Sequence, residues 1–91
     1  MNVENRRNLI VVTGAGGFIG GSLISALRDR GFTSIRAIDV KPVGNWYQKF
    51  DDVENLSLDL NLKESCDIAA KGAYEIYNLA ANMGGDGIHR A

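Results

Sequence analysis

Residues 11–22 read VVTGAGGFIGGS, and they constrain the fold more than any other stretch. A continuous apolar run at 9–12 leads into five glycines within eight positions: Gly14, Gly16, Gly17, Gly20 and Gly21. Glycine loses the most conformational freedom on folding, so this many directly after a strand-like run need a reason. The run does not alternate, which fits a parallel strand covered on both faces. A helix is predicted over 18–30, where Phe18 or Ile19, Leu23, and Ala26 or Leu27 recur at helical spacing and Gly31 is placed to cap the end.

The rest of the chain continues the alternation. Residues 34–40 (SIRAIDV) read as a second strand, closed off by Pro42 and Gly44. Residues 45–53 read as a short helix or a loop in which Trp46, Tyr47 and Phe50 share an apolar face, better explained by packing than by ligand binding. Residues 55–60 (NLSLDL) alternate as a third strand. Asn61 and Glu64 resemble a capping box, and Leu62, Cys66, Ala69 and Ala70 form one helical face ended by Gly72. Residues 73–80 (AYEIYNLA) make a fourth strand. The expectation is an α/β fold, a Rossmann-type three-layer parallel sheet in the order 3-2-1-4.

The glycines form the spacing Gly14-x-x-Gly17-x-x-Gly20 between strand and helix. A helix N-terminus presents unpaired N–H groups and partial positive charge. Gly14 allows a sharp turn, Gly17 removes a side chain where phosphates approach, and Gly20 lets the helix pack closely. The alternative is a glycine-rich turn that binds nothing. Against it, Asp39 ends the second strand, 19 residues after Gly20, near the spacing of a ribose-binding acid. A solvated strand end is the plainer reading of Asp39. Asp59 and Leu60 end the third strand, where a base is met. A triphosphatase loop is disfavoured, because Ser22 stands where its lysine belongs. A carboxylate at 39 accepts bonds from both ribose hydroxyls and repels a 2′-phosphate, favouring NAD over NADP, with Lys41 and Arg36 expected nearby as partial offsets.

Composition excludes several classes. Lys plus Arg number 10 against 11 Asp plus Glu, so there is no basic footprint for nucleic acid or an anionic membrane. One cysteine, Cys66, and one histidine, His89, do not make a zinc site, and Cys66 reads as core filler rather than a reactive thiol. No apolar run approaches the roughly 18–20 residues of a membrane span, and the polar N-terminus lacks a secretory pattern. The expected setting is a soluble protein of the cytoplasm.

TGAGGFIG, AIDV, LDL and YNLAA, in that order, resemble the opening of the extended short-chain dehydrogenase/reductases, the NAD-dependent nucleotide-sugar epimerases and dehydratases. The stretch at 78–88, NLAANMGGDGI, is similar to the GDP-mannose 3,5-epimerase group, with Asn82 in place of that group's acid. The resemblance implies that Gly14, Gly17, Phe18, Ile19 and Gly20 line the diphosphate of NAD. It implies Asp39 at the adenosine ribose, Asp59 and Leu60 at the adenine, and Leu79, Ala80 and Ala81 along the cofactor. Met83, Gly84 and Gly85 then face the sugar end of a nucleotide-diphosphate sugar, a GDP-sugar first among them. In such enzymes a hydride leaves a sugar carbon, the ketone acidifies the neighbouring C–H, a stereocentre inverts or a group is eliminated, and the hydride returns.

The resemblance also implies a catalytic Tyr-x-x-x-Lys pair with a preceding Ser or Thr. Tyr47, Tyr74 and Tyr77 are followed four residues on by Asp51, Asn78 and Ala81, so none supplies it. Residues 1–91 are therefore expected to be a partial NAD(P)-binding domain of a longer, homodimeric enzyme. The catalytic segment and substrate domain lie beyond it, and the chain alone is expected to be catalytically inactive and marginally stable. A non-catalytic dinucleotide-binding module is the alternative reading, and a methyltransferase using S-adenosylmethionine is a more distant one.

Overall fold

The computed structural model describes residues 5–80. Four parallel strands form one sheet in the order β3-β2-β1-β4, as the alternation predicts. They are β1 (Ile10–Thr13), β2 (Ile35–Asp39), β3 (Glu54–Ser57) and β4 (Glu75–Asn78). Helix α1 (Phe18–Asp29) links β1 to β2, and α2 (Lys63–Ala70) links β3 to β4.

Strand periodicity distributes the core between two faces. Ile10, Val12, Ile35 and Ala37 pack with Ile24 and Leu27 of α1 and with Trp46 and Val53. Val11 and Ile38 pack on the opposite face with Ala69 of α2. The helices thus cover opposite faces, giving three layers. β1 is buried at all four positions, which is why its sequence does not alternate.

Helix α1 ends as Gly31 suggests. Gly31 has φ +91°, its N–H donates to Arg28 O (2.9 Å), and Phe32 N–H donates to Leu27 O (3.1 Å). Leu27 belongs to the first core cluster and Phe32 packs against it, so the closure turns the chain back onto the core.

Three expectations are corrected. Asn61 does not cap α2: Leu62 holds the N-cap position without a side-chain bond, and Asp59 makes the turn instead. Asp59 Oδ1 accepts Asn61 N–H (3.0 Å) and its carbonyl accepts Leu62 N–H (3.0 Å). The inward residues of α2 are Ser65, Cys66 and Ala69, while Leu62 and Ala70 are exposed, because Leu62 is the N-cap outside the helix and Ala70 lies about 100° around it from Ala69. Residues 45–53 take the loop alternative, after a 3₁₀ turn at Val43–Asn45; Trp46 and Phe50 pack on one core cluster as expected, and Tyr47 alone leaves that face. Trp46 is buried, Phe50 is half-buried and Tyr47 is exposed, set edge-on to Phe18 at 5.1 Å. Cys66 is half-buried, and its thiol donates to Leu60 O (3.0 Å).

Candidate functional site: a cleft at the strand ends

The C-terminal ends of all four strands open into one cleft of about 410 Å³. Its walls include Gly14 beyond β1, Asp39 and Lys41 at the end of β2, Asp59 and Leu60 beyond β3, and Leu79 and Ala80 beyond β4. β1 lies where the chain's progression across the sheet reverses, since β2 and β4 flank it. Open α/β sheets form ligand crevices at this kind of position.

The glycines have distinct local causes. Gly14 has φ +72°, and a Cβ there would lie 2.7 Å from the Leu79 backbone carbonyl. A Cβ on Gly20 would collide with Gly14 O and lie 2.8 Å from Ala15 Cα, so the close approach is to the turn after β1 rather than to the strand itself. A Cβ on Gly17 would meet only Gly14 O, at 3.7 Å, and otherwise point into open space on the cleft wall.

Gly17 is also the N-cap of α1, which has neither a side-chain cap nor an acidic residue in its first turn. Helix geometry leaves the N–H groups of Phe18, Ile19 and Gly20 without partners inside the helix, whereas Gly21 N–H already donates to Gly17 O (3.0 Å). The N-terminus is open to an anion.

Asp39 is held in place rather than loose at a strand end. Its Oδ2 accepts Gly16 N–H (2.8 Å) and its Oδ1 accepts Lys41 N–H (3.0 Å). Each carboxylate oxygen keeps acceptor capacity for a further donor. Lys41 lines the cleft as expected, with Nζ 3.5 Å from Gly16 O. Arg36 does not come near it. It lies at the opposite end of β2, where it pairs with Glu54 (2.8 Å) and donates to the carbonyls of Ile68, Ala69 and Lys71. Phe18 and Ile19 are exposed beside the cleft. Ala81, Met83, Gly84 and Gly85 lie outside the described residues.

Three contributors to the site go beyond what the sequence assigns to it. Thr13, buried, donates to Asn78 Oδ1 (2.5 Å) and accepts Ala80 N–H (3.3 Å), fixing the β4 exit against β1. Gly16 and Trp46 lie against each other under the cleft wall, where a Cβ on Gly16 would be 2.8 Å from the indole and 3.0 Å from Asp39 Oδ2. The TGAGG cluster hints at Gly16, and the apolar reading of Trp46 points to packing alone; nothing local marks Thr13.

Comparison with known proteins agrees with this arrangement. The family model described as NAD dependent epimerase/dehydratase matches residues 10–89. GDP-mannose 3,5-epimerase 1 of Oryza sativa subsp. japonica is 36% identical over 78 residues, covering 86% of this chain and 20% of the relative. The GDP-mannose 3,5-epimerase of Arabidopsis thaliana matches to the same extent. ADP-L-glycero-D-manno-heptose-6-epimerase of Pseudomonas paraeruginosa is 44% identical over 45 residues, covering 50% of this chain and 14% of the relative. A crystal structure of a short-chain dehydrogenase/reductase superfamily protein from Agrobacterium tumefaciens, with bound NAD, superposes with a TM-score of 0.67 at 27% identity, covering 90% of this chain and 23% of that one. The chain spans about a fifth of the length of the first curated relatives it matches. Among the described residues no helix is long and apolar enough to cross a membrane. The chain belongs to the NAD-dependent epimerase/dehydratase family, whose cofactor is NAD.

Proposed function

We propose that this chain is the NAD-binding part of a nucleotide-sugar epimerase, with the dinucleotide lying across the strand ends. The observation that carries the reading is the joining of an uncapped helix N-terminus and a fixed carboxylate in one cleft. Phe18, Ile19 and Gly20 present their N–H groups to the diphosphate, and Gly17 leaves the space it needs. Asp39 accepts the hydroxyls of the adenosine ribose. Asp59 and Leu60 meet the adenine edge, and Leu79, Ala80 and Ala81 run along the rest of the cofactor. When bound, NAD supplies reversible hydride acceptance at a sugar carbon. The residues of this chain bind and orient it, while Met83, Gly84 and Gly85 face the sugar. The proton-transferring Tyr-Lys pair belongs to a further part of a longer, homodimeric enzyme.

Likeness to two GDP-mannose epimerases favours a GDP-sugar as substrate and epimerisation as the outcome. With Asp39 in the proposed ribose-binding role, its carboxylate would repel a 2′-phosphate, which favours NAD over NADP. Lys41 only partly offsets this. The single cysteine and the balanced charge suit a cytoplasmic enzyme.

Calorimetric titration with NAD, NADP and S-adenosylmethionine tests the cofactor reading. NAD is expected to bind, NADP more weakly, and S-adenosylmethionine not to compete. Competition by S-adenosylmethionine at equal strength would overturn it. For the substrate, NMR of the product is expected to show that the enzyme containing this chain epimerises a GDP-sugar. Turnover restricted to other nucleotide sugars would refute that part.

A further inference from the structure

Gly16 is not part of the Gly14-x-x-Gly17-x-x-Gly20 spacing, yet its peptides are the most heavily restrained in the loop. Its N–H donates to Asp39 Oδ2 (2.8 Å). Its carbonyl accepts Tyr47 N–H (2.8 Å). The adjoining Gly17 N–H donates to Gly14 O (3.2 Å). A trans peptide points its C=O and N–H in opposite directions, so the plane between Gly16 and Gly17 is held from both sides. That plane leads directly into the open N-terminus of α1.

The segment that supplies Tyr47 N–H is itself anchored by Trp46. Trp46 is 8% exposed, its indole Nε1–H donates to Lys41 O (2.9 Å), and its ring occupies the space beside Gly16. Two residues on, Gln48 Nε2 donates to Gly21 O (2.9 Å) inside the first turns of α1. Residues 41–48 therefore lie across the glycine loop as a strap, with Trp46 as its buried pin.

We propose that Trp46 is a positioning residue for the diphosphate-binding loop. It holds the strap down, and the strap fixes the Gly16–Gly17 peptide and hence the direction of the first helical N–H groups. This rests on the cofactor reading above. Glycine has no side chain by which a loop can be held, so the loop's order must be imposed from outside. A loop ordered before binding spares the ligand that ordering cost. The diphosphate meets the N–H groups that follow the Gly16–Gly17 peptide directly. The adenosine half meets Asp59, which the strap does not touch, and Asp39, whose bonds to Gly16 N–H and Lys41 N–H tie it to the strap only at one remove.

The test compares ADP with adenosine, because the two differ only in the diphosphate. In the wild-type chain ADP is expected to bind more tightly than adenosine. Trp46→Ala is expected to lower the ratio of ADP to adenosine affinity by about tenfold or more, with adenosine losing far less than ADP. Trp46→Phe, which refills the space beside Gly16, is expected to recover most of the ratio. A merely structural tryptophan would weaken both ligands together, so a ratio unchanged within about twofold overturns the proposal. If Trp46→Ala does not fold, Trp46→Leu keeps apolar volume without ring or N–H and carries the same comparison. If the wild-type chain binds neither adenosine, ADP nor NAD, the cofactor reading falls and this inference with it.

Discussion

At the scale of single residues, the three glycines of the spacing separate into two that build the loop and one that leaves it open. Gly14→Ala places a side chain in the left-handed region, at about 1–2 kcal/mol, and drives its Cβ into the Leu79 backbone. Gly20→Ala collides with Gly14 O. Both are expected to destabilise the chain severely. Gly17→Ala meets no atom closer than 3.7 Å and changes only an N-cap preference, worth about 1 kcal/mol. It is expected to fold and to lose at least about tenfold in NAD affinity, because the methyl group enters the diphosphate space. Thermal melts paired with NAD titrations of the three variants check this, and equal destabilisation by all three would refute it. The spacing of these glycines is legible in the sequence because it encodes a local turn. The site roles of Gly16, Trp46 and Thr13 are not, because Gly16 and Thr13 bond to side chains 23 and 65 residues away, and Trp46 meets Gly16 only once the sheet has brought the two segments together.

At the scale of elements, each helix is tied down by an arginine near a helix C-terminus. α2 has eight residues, too few to be stable alone, and three carbonyls at its C-terminal end accept bonds from Arg36. Arg36 also complements the negative end of the helix dipole. Arg36→Met keeps the apolar stem and removes these bonds. It is expected to cost about 2 kcal/mol in urea unfolding and to speed amide exchange at the C-terminal end of α2. Unchanged exchange there would contradict this role. The sequence suggests that Arg36 lies near the ribose because it is three residues from Asp39. Strand rise instead puts it about 10 Å away along β2, where the crossover brings the end of α2 beneath it.

In the last turn of α1, Arg28 forms a paired contact with Asp52 (3.0 Å) and lies over the Phe50 ring at 4.5 Å. The hydrogen bond from Arg28 holds the Asp52 carboxyl below its ordinary value. A carboxyl lowered in the folded state stabilises above its unfolded value, near pH 4, and that contribution fades as pH falls through the folded value. NMR titration of the Asp52 carboxyl is therefore expected to show a midpoint that rises in Arg28→Ala. A midpoint unmoved by that substitution would rule out the pair as the cause.

At the scale of the whole molecule, the same four strands that bury the core also supply the cleft wall, each at or just beyond its last residue. The alternation of apolar runs and helical periods makes this architecture readable from the sequence. It does not reveal which loops touch, as the Asp59 turn and the strap at residues 41–48 show. Because every strand contributes to the cleft, unfolding any part of the sheet dismantles it, so a ligand bound there couples to global stability rather than to one loop. In a chain of 91 residues, where stability is a small difference between large terms, that coupling is measurable. NAD at a hundred times its dissociation constant is expected to add about 2.7 kcal/mol. For a domain of this size that raises the thermal midpoint by roughly 10–20 °C. Adenosine at the same concentration reaches only the β2 and β3 side of the cleft and is expected to shift the midpoint less. A scan in which saturating NAD leaves the midpoint unmoved would show that the cleft does not hold the dinucleotide. A rise confined to amide exchange protection in the glycine loop, with the strands unaffected, would show instead that binding is not coupled to the sheet.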